Sequence, residues 1–566
     1  MRIKAAHENG YEALLEKLDF ENLLLHLSAN RFDKVTLLGT ELNLSGVNEI
    51  IKYILKAFTE VVAPNFYFGN ISYNTSSPTG KDNYESSALI IMPMPVGIPE
   101  NQRLPLVSYQ HGTQLMRALA PSKFPFILNQ LAEERNKLFQ GKISINNFMN
   151  KFSATIVDFL EVILVALFVA KEGYIVVMPD YQGMKEEKED CVHPYVLASP
   201  LGHAVADLIV HTINNELPKM NMKQWNGQVF LAGYSEGGYV TMAASKVIQE
   251  EYSQYLKVTA SAPAAGPYSL SHCMRLLMMR EEEYSDGYFL PMTLVGYKQC
   301  YDNMECFNCE NALKPNFYEL YSLVDGYHTI SEVCNKMKIN DKLIPKDIFS
   351  KEFAEKLYDK DDELCGTLKE NDLINWRPEM PMKLYHSPND DRVPYENSEL
   401  ASNSFNEKGS NVSIVPVTGL PLIEINHVAA FVPCITTMVA WFNSFVYNKV
   451  DTLNSEEALY PNHCLVSKNK NYCLRFQLDG NLVIYNMISG RVIWQWKANY
   501  KNPTICYLTS SGQLKLYCRF WNLFTYCYKS SSKIANAEGC KLVMQDDGNA
   551  IMYDKNNRSI LTLNSL

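Results

Sequence analysis

Apolar residues change their spacing along the chain, and each change predicts a different kind of structure. In residues 12–29 and 47–62 they recur at every third and fourth position, as on the buried face of a helix. From about residue 65, short apolar runs alternate with longer helical patterns, and beyond residue 463 short runs are separated by turn residues. The predicted organisation is an N-terminal helical segment (1–64), an α/β region (65–448), a linker (449–462) and an all-β region (463–566).

The α/β region contains short apolar runs with the length of buried strands, most of them followed by a helical pattern. Such alternation favours a mainly parallel sheet with helices on both faces. The alternation stops at about 269–378, a stretch rich in Met, Tyr, Cys and acidic residues, which predicts an inserted helical cap. The predicted strands are 88–92, 104–109, 174–178, 229–232, 258–262, 382–385 and 412–417.

Composition narrows the class of protein. Hydrophobic residues make up 47% of the chain and charged residues 20%, an ordinary globular balance. The net charge of −10, with no basic patch among aromatics, argues against nucleic acid as a partner. The most apolar stretch, 156–170, carries Asp158 and Glu161 and is too short to cross a bilayer, so it predicts a buried helix and no transmembrane segment.

The first eighteen residues predict no signal peptide, because three glutamates interrupt any apolar segment. We therefore expect a soluble protein, either cytoplasmic or secreted by a leaderless route. Of the fourteen cysteines, six lie between Cys464 and Cys540, dense enough that disulfides stay an open alternative there. The cluster Cys300, Cys306 and Cys309 offers one short ligand pair, whereas zinc sites usually use two, so thiols of the cap are favoured over zinc. No metal and no cofactor are predicted.

A serine stands where a predicted strand meets a predicted helix. Gly233, Ser235 and Gly237 form a Gly-x-Ser-x-Gly sequence between the strand at 229–232 and the helical pattern at 239–248. Nucleophilic serines occupy such strained turns, where flanking glycines let strand and helix approach each other and raise the hydroxyl above the sheet. Ser235 is therefore the predicted nucleophile.

A serine nucleophile needs a base, and the base needs an acid that orients it. In this arrangement the acid and then the histidine follow the serine along the chain. Asp390 lies on the loop after the strand at 382–385, with Asp391 as the alternative. His427 follows the last predicted strand and is the predicted base. The less favourably placed histidines are His272, His328, His386 and His463.

An oxyanion hole requires two backbone N–H groups directed at the developing negative charge. The residue after the nucleophile, Glu236, is expected to supply one. The loop after the strand at 104–109 is expected to supply the other, from Thr113, with Gly112 and Gln114 as open alternatives.

Six short motifs lie along the α/β region: YQHGT at 109–113, PDYQG at 179–183, HPY at 193–195, GYSEGG at 233–238, AGPY at 265–268 and LYHSP at 384–388. Together they resemble bacterial α/β-hydrolases related to the secretory lipases. The resemblance runs from about residue 65 to 445 and implies an α/β-hydrolase fold with a helical cap and no metal. It also implies a carboxylic ester hydrolase that acts on acyl or lipid esters through an acyl-enzyme. The charged sequence at 184–190 departs from the family pattern, which puts the usual substrate entrance in question.

The all-β region carries a second motif, in which five side chains alternate along the chain and so share one face of a strand. It resembles the mannose-binding motif of the bulb-type lectins, which implies a three-fold β-prism and mannose-containing glycans as partners. In that family the polar residues bind sugar hydroxyls and the aliphatic residue packs on the ring. The first copy is Gln477, Asp479, Asn481, Val483 and Tyr485, and the second is Gln545, Asp547, Asn549, Ile551 and Tyr553. A degenerate copy lies between them at Thr509, Ser511, Gln513, Lys515 and Tyr517.

Three hypotheses for the whole chain follow. The first, favoured by the order of the serine, aspartate and histidine, is a lipase or esterase with a carbohydrate-binding tail. The second is a serine peptidase of the prolyl-peptidase type, which shares the same catalytic elements. The third is a non-enzymatic lectin or adhesin with an inactive hydrolase body.

Overall fold

The computed structural model describes most of the chain from residue 66 onward. The described residues are 35–37, 40–42, 66–80, 84–93, 104–144, 147, 151, 158–185, 191–219, 225–284, 286–339, 342–418, 425–446, 451–460, 463–469, 471–477, 479–498, 503–520, 524–534 and 537–563. The helices predicted at 12–29 and 47–62 lie outside them. What is described of the N-terminal segment is an antiparallel pair of short strands, β1 (Val35–Leu37) and β2 (Thr40–Leu42), where only helices were predicted.

An eight-stranded sheet forms the centre of the molecule. Its strands are β3 (Phe66–Thr75), β4 (Tyr84–Pro93), β5 (Leu104–Gln110), β6 (Ile175–Pro179), β7 (Trp225–Tyr234), β8 (Val258–Ala264), β9 (Met382–His386) and β10 (Val412–Pro416). The order across the sheet is β10-β9-β8-β7-β5-β6-β4-β3. Strands β5 to β10 pair in parallel, whereas β3 and β4 add an antiparallel edge.

The predicted mixed α/β sheet is therefore confirmed, with all seven predicted strands present and one strand, β3, added. Successive residues of a strand point to opposite faces of the sheet. Both faces are apolar here, and helices cover both of them. Ile90 and Val177 pack on one face with the helix Ala198–His211, while Leu89 and Val176 pack on the other with Leu160–Phe168. The remaining α-helices around the sheet are Phe124–Phe139, Leu217–Lys219, Glu236–Glu251, Glu396–Glu407 and Phe431–Phe442.

The described residues between β8 and β9 form mainly short helices joined by turns, with two isolated β-bridges that pair Leu313 with Phe349 and Ile339 with Lys342. A π-helical turn, Leu270–Met274, opens this stretch. The helices that follow are Arg275–Met278, Phe289–Cys300, Cys309–Ala312, Leu320–Leu323, Ile330–Met337, Pro345–Ile348, Lys351–Tyr358 and Glu363–Glu370. Among the helices described for this chain, none is both long enough and apolar enough to span a bilayer.

The C-terminal region forms three four-stranded antiparallel sheets. Their inner faces share one core, to which Leu474, Leu514 and Leu542 each contribute from a different sheet. No disulfide joins any of the fourteen cysteines, all of which lie in described residues. The sheets are β13 (Cys464–Val466), β14 (Tyr472–Phe476), β15 (Leu482–Asn486) and β16 (Val492–Trp496); β12 (Ala458–Leu459), β17 (Pro503–Leu508), β18 (Leu514–Phe520) and β19 (Phe524–Ser530); and β11 (Thr452–Asn454), β20 (Lys541–Met544), β21 (Ala550–Tyr553) and β22 (Ser559–Thr562).

The predicted linker 449–462 needs a correction, because β11 and β12 lie inside it. They pair antiparallel with β20 and β17, and two strands this short give no sequence periodicity to detect. The same stretch packs against the α/β region. Tyr460 belongs to the core of that region. Directly after the stretch, buried His463 lies edge-on to Tyr174 of the α/β region, with ring centroids 6.5 Å apart.

Candidate active site and the repeated motifs of the tail

Ser235 occupies a sharp turn between β7 and the helix Glu236–Glu251. Its backbone has φ 61° and ψ −124°, a conformation that side chains other than glycine rarely adopt and that costs free energy. The turn exists because the helix starts very close to the sheet: a Cβ on Gly237 would collide with the carbonyl oxygen of Gln110. The sequence Gly-x-Ser-x-Gly therefore matches the packing that this turn requires.

The structure brings Ser235, His427 and Asp390 together in one hydrogen-bonded row. His427 Nε2 lies 2.9 Å from Ser235 Oγ, and His427 Nδ1 lies 2.6 Å from Asp390 Oδ2. The hydroxyl of Tyr234 donates to the carbonyl oxygen of His427 at 2.5 Å, which fixes the backbone beneath the ring. Residues separated by 192 and 37 positions in sequence thus meet with the geometry of a nucleophile, its base and an orienting acid.

The carboxylate of Asp390 is held in its charged form. Burial by itself would raise the pKa of Asp390, but His427 and His386 lower that pKa well below its usual range. Oδ1 also accepts backbone hydrogen bonds from Arg392 at 2.9 Å and Val393 at 2.8 Å. The acid is therefore ionised throughout the neutral pH range.

Asp391 takes a different place from Asp390. Its Oδ1 accepts the backbone N–H of His427 at 3.1 Å, and Asn426 Nδ2 lies 3.4 Å from its Oδ2. Asp391 thus contacts the backbone of His427, whereas Asp390 contacts its ring.

The other candidate histidines are dispersed. His386, considered only as a competing base, contacts Asp390 at 3.2 Å through Nε2 and Ser398 Oγ at 2.7 Å through Nδ1. His272 pairs with Glu396 at 3.6 Å and His328 with Asp325 at 3.0 Å, both partly exposed. His463 is buried at the edge of the tail.

The two residues expected to form the oxyanion hole, Glu236 and Thr113, follow β7 and β5, two strands that pair in parallel in the sheet. Glu236 begins the helix after the nucleophile, so its N–H belongs to the first helical turn, where backbone donors are not used within the helix. In the loop after β5, the N–H of Gly112 donates to both carboxylate oxygens of Glu161, at 3.1 and 3.2 Å. The N–H of Gly112 is therefore already bonded to Glu161, which leaves the N–H groups of Thr113 and Gln114 as the candidates from that loop.

Glu161 is a buried residue beneath this loop to which the sequence analysis gave no role. It also accepts the hydroxyl of Tyr109 at 3.1 Å. Burial raises the pKa of Glu161 to about 7, although the contacts with Gly112 and Tyr109 act in the opposite direction. An acidic residue inside an otherwise apolar helical run was the signal that could have identified it.

An apolar cavity lies beside Ser235. Met and Leu side chains from the helical turns that follow β8 form one wall, and Tyr284, Phe289 and Leu290 contribute to the rest. The residues that line it are Tyr195, Val196, Ser235, Glu236, Pro267, Leu270, Met274, Leu277, Met278, Tyr284, Phe289, Leu290, Thr293, Pro345, Leu368 and Val393.

The two complete five-residue motifs of the tail have the same local geometry. In the first, Gln477 Nε2 donates to Tyr485 Oη at 2.5 Å and Asn481 Nδ2 donates to Asp479 Oδ2 at 2.7 Å. In the second, Gln545 donates to Tyr553 at 2.5 Å and Asn549 to Asp547 at 2.9 Å. Each motif runs from a turn into the second-last strand of its own sheet, β15 or β21.

The aliphatic positions and the middle copy differ from this pattern. Val483 is buried, whereas Ile551 is half-buried. In the degenerate copy on β18, Thr509 Oγ1 lies 3.1 Å from Ser511 Oγ, and the Gln513 amide lies 3.4 Å from the carbonyl oxygen of Ser531. This copy has Thr509 in place of the first glutamine and Ser511 in place of the aspartate, so it lacks the acidic side chain that the other two present.

Comparisons with known proteins concern mainly the α/β region. The sequence profile of the family described as secretory lipase matches residues 147–452. A candidate hydrolase from Legionella pneumophila is 24% identical, with a TM-score of 0.55 over 69% of this chain and 95% of its own. A rice cell wall degrading esterase from Xanthomonas oryzae is 20% identical, with a TM-score of 0.54 over 69% of this chain and 94% of its own. These structures share the fold, and no curated protein sequence matches the chain.

Proposed function

The chain belongs to the secretory lipase family and is a carboxylic ester hydrolase, and we propose that Ser235, His427 and Asp390 are its catalytic triad. The observation that carries the proposal is the imidazole of His427, which bridges the serine hydroxyl and a buried carboxylate at 2.9 and 2.6 Å. The strained backbone of Ser235 supports it, since strain of this kind accumulates at functional sites.

In the proposed reaction, Ser235 Oγ attacks the ester carbonyl carbon and its proton passes to His427 Nε2. Asp390 stabilises the imidazolium that forms and stays ionised itself. The carbonyl oxygen becomes an oxyanion, which accepts hydrogen bonds from the backbone N–H groups of Glu236 and Thr113. His427 then protonates the leaving alcohol, an acyl-enzyme forms, and a water molecule activated by the same histidine releases the acid.

The cavity supports an apolar acyl group as the part of the substrate that binds beside Ser235. Its walls are mostly Leu, Met, Val, Pro and aromatic side chains, and such surfaces favour hydrocarbon over charged groups. Leu277 and Met278 come from the cap, so the cap would contribute to substrate selection. We propose acyl esters, including lipid esters, as the substrate class. The description of the family as secretory favours export from the cell.

We further propose that the tail binds mannose-containing glycans through the motifs on β15 and β21. Equivalent internal hydrogen bonds form within each of the two motifs, and each motif has an exposed aspartate next to an amide. Charged acceptors beside amide donors suit the paired hydroxyls of a sugar. The proposed hydrolase domain is 65–448 with the cap at about 269–378, and the proposed sugar-binding domain is 463–566 completed by β11 and β12.

A fluorophosphonate probe tests the enzymatic proposal, because it reacts only with an activated serine. We expect stoichiometric labelling of Ser235 and none in His427→Ala. Absence of labelling in the folded wild-type protein would instead support the inactive hydrolase body.

A substrate panel then separates an esterase from a peptidase. We expect p-nitrophenyl esters of increasing acyl length to be cleaved and peptide p-nitroanilides to be left intact. Preference for a proline anilide would show that the peptidase hypothesis is the correct one.

A further inference from the structure

Four buried side chains form a continuous row behind the proposed oxyanion hole. The carboxylate of Glu236 lies 2.5 Å from His193 Nε2. The ring of His193 stacks on Tyr181, with centroids 5.3 Å apart and an interplanar angle of 16°. Tyr181 stacks in turn on His111, with centroids 4.2 Å apart, and its hydroxyl donates to the carbonyl oxygen of His111 at 2.9 Å.

The two ends of this row belong to the two halves of the oxyanion hole. Glu236 supplies one proposed donor through its own N–H, and its side chain is the end that contacts His193. His111 directly precedes Gly112 and Thr113, and its Nδ1 lies 2.6 Å from the carbonyl oxygen of Gly112. His193 and Tyr181 therefore connect two loops whose relative position sets the spacing of the two N–H groups.

The middle of the row depends on a close approach of two other loops. Gly183 has φ +78°, and a Cβ there would collide with the backbone of Val192 and His193. Only glycine lets the turn after β6 lie against the loop that carries His193. This accounts for two motifs, PDYQG at 179–183 and HPY at 193–195, that have no part in the triad.

His193 also contacts the buried carboxylate of Glu236. The side chain of Glu236 is fully buried beside the cavity, and its Oε2 has no hydrogen-bond partner among the described residues. A carboxylate with no compensating donor would oppose the negative charge that develops on the substrate oxygen nearby. The N–H of His193 compensates it. His111 adds no charge at neutral pH, because burial lowers its pKa to about 4.

We infer that His193 is a positioning residue for ester hydrolysis: with Tyr181 it holds the Glu236 and Thr113 amides in register, and it donates a hydrogen bond to the buried side chain of Glu236. The inference rests on the proposed role of Ser235. His193 does not touch the reacting atoms, so its effect should appear in the transition state and not in substrate binding.

Two substitutions separate the parts of this role. His193→Phe keeps a ring on Tyr181 but removes the donor, whereas His193→Gln keeps a donor for Glu236. His203→Phe is the matched control, because His203 also pairs with a glutamate, Glu251, at 2.9 Å but on the protein surface. Each variant is studied in the full-length protein, with kcat expressed per serine titrated by fluorophosphonate.

For His193→Phe we expect kcat to fall about 10²-fold with KM nearly unchanged, comparable to the loss of one oxyanion-hole donor. His193→Gln should recover part of this loss, and His203→Phe should match the wild type. A boronic acid inhibitor, which mimics the tetrahedral intermediate, should bind His193→Phe more weakly by a similar factor.

The inference is overturned if His193→Phe lowers only the number of titratable serines while kcat per serine and boronic acid affinity stay at wild-type values. If His193→Phe does not fold, Tyr181→Leu gives the same decision. It removes the ring on which His193 and His111 stack and leaves His193 beside Glu236, and an unchanged boronic acid affinity together with an unchanged kcat would contradict the inference. Failure of the probe to label wild-type Ser235 would instead contradict the proposed triad, so the two failures are distinguishable.

Discussion

The α/β region and the C-terminal sheets assemble their polar side chains in opposite ways. Around Ser235 the important groups come from distant parts of the chain, and His427 and Asp390 are almost fully buried. In the tail, all five residues of each motif lie within nine consecutive positions, and Asp479 and Asp547 are exposed. One region depends on long-range packing, whereas the other depends on a repeated local strand.

This difference has a consequence for how substitutions should act. A buried hydrogen-bonded row in a low-dielectric site is strongly coupled, so the loss of one member changes the contribution of the others. Exposed motifs on separate sheets should act independently and add through avidity. Substitutions in the two regions test that contrast.

Ser235→Ala should have the largest effect. We expect ester turnover to fall about 10⁴-fold or more, because no other group can form the acyl-enzyme. Retention on immobilised mannose should stay unchanged, since Ser235 lies outside the tail. Steady-state kinetics and affinity chromatography on the same preparation check both parts, and a variant that keeps a tenth of wild-type activity would contradict the assignment.

Asp390→Asn should be next. An asparagine can still hold the imidazole, but in the wrong tautomer and without stabilising the imidazolium, so we expect kcat to fall by about 10³–10⁴. Asp391→Asn is the matched control. Its amide oxygen can still accept the His427 N–H, so we expect a loss below about 10-fold, the effect of one weakened hydrogen bond. The reverse order of the two kcat values would make Asp391 the acid.

Asp286→Asn should weaken the contact between the helical stretch after β8 and the loop that carries Asp390. Asp286 Oδ2 lies 3.1 Å from Arg392 Nε, both side chains are buried, and Tyr284 donates to the carbonyl oxygen of Arg392. Removing one charge of a buried pair should lower the free energy of unfolding by about 3–5 kcal/mol. Thermal denaturation measures this loss.

Glu281→Gln is the control for that measurement, because Glu281 forms an ion pair with Lys346 at the surface. Its Tm should equal that of the wild type. An equal Tm for Asp286→Asn would show that the cap does not depend on Arg392.

The double substitution Asp479→Ala and Asp547→Ala should abolish retention on mannose and leave ester turnover nearly unchanged. Each aspartate would accept charge-assisted hydrogen bonds worth about 1.5–3 kcal/mol. Each single variant should keep partial retention through the other motif. Replacing Ser511 in the degenerate copy with Ala is the control and should change nothing. Wild-type retention by the double variant would rule out sugar binding through these motifs.

Glu161→Gln should have the smallest effect, visible in the pH dependence of stability. The pKa of Glu161 in the folded protein, about 7, lies above its usual value of 4.5, so the folded form binds this proton more tightly. Its contribution is fully present below about pH 4.5 and is lost as the pH rises through 7. Gln keeps an acceptor for Gly112 and does not titrate, so its unfolding free energy should decline less between pH 5 and 8. Parallel denaturation curves of both proteins over this range would contradict this account.

The sequence predicted the elements whose signal is local. Gly-x-Ser-x-Gly between a strand and a helix located Ser235, and the chain order located Asp390 and His427, which the structure then places in contact. Strand β3 was not predicted, although its burial alternates, with Ile71 and Tyr73 buried between exposed neighbours. The strands β11 and β12 are only three and two residues long and exist through their pairing with β20 and β17.

The surroundings of the site could not be predicted from the sequence, for a physical reason. The contacts of Glu161 with Gly112 and of His193 with Glu236 join residues more than forty positions apart. Nothing in the local pattern distinguishes a histidine that contacts a buried carboxylate from one that faces solvent. The family motifs include His193 and Tyr181, but the role proposed for them rests on their place between Glu236 and the loop after β5.

The covalent intermediate tests the central claim most directly. Wild-type protein is mixed with excess p-nitrophenyl ester, quenched in acid within the first turnovers, and mapped by mass spectrometry after digestion. The account predicts an acyl group on the peptide that contains Ser235, at close to one per chain when deacylation is slow, and no such adduct in Ser235→Ala or His427→Ala. Rapid ester turnover with an acyl group on a different residue, or an undiminished adduct in His427→Ala, would contradict it.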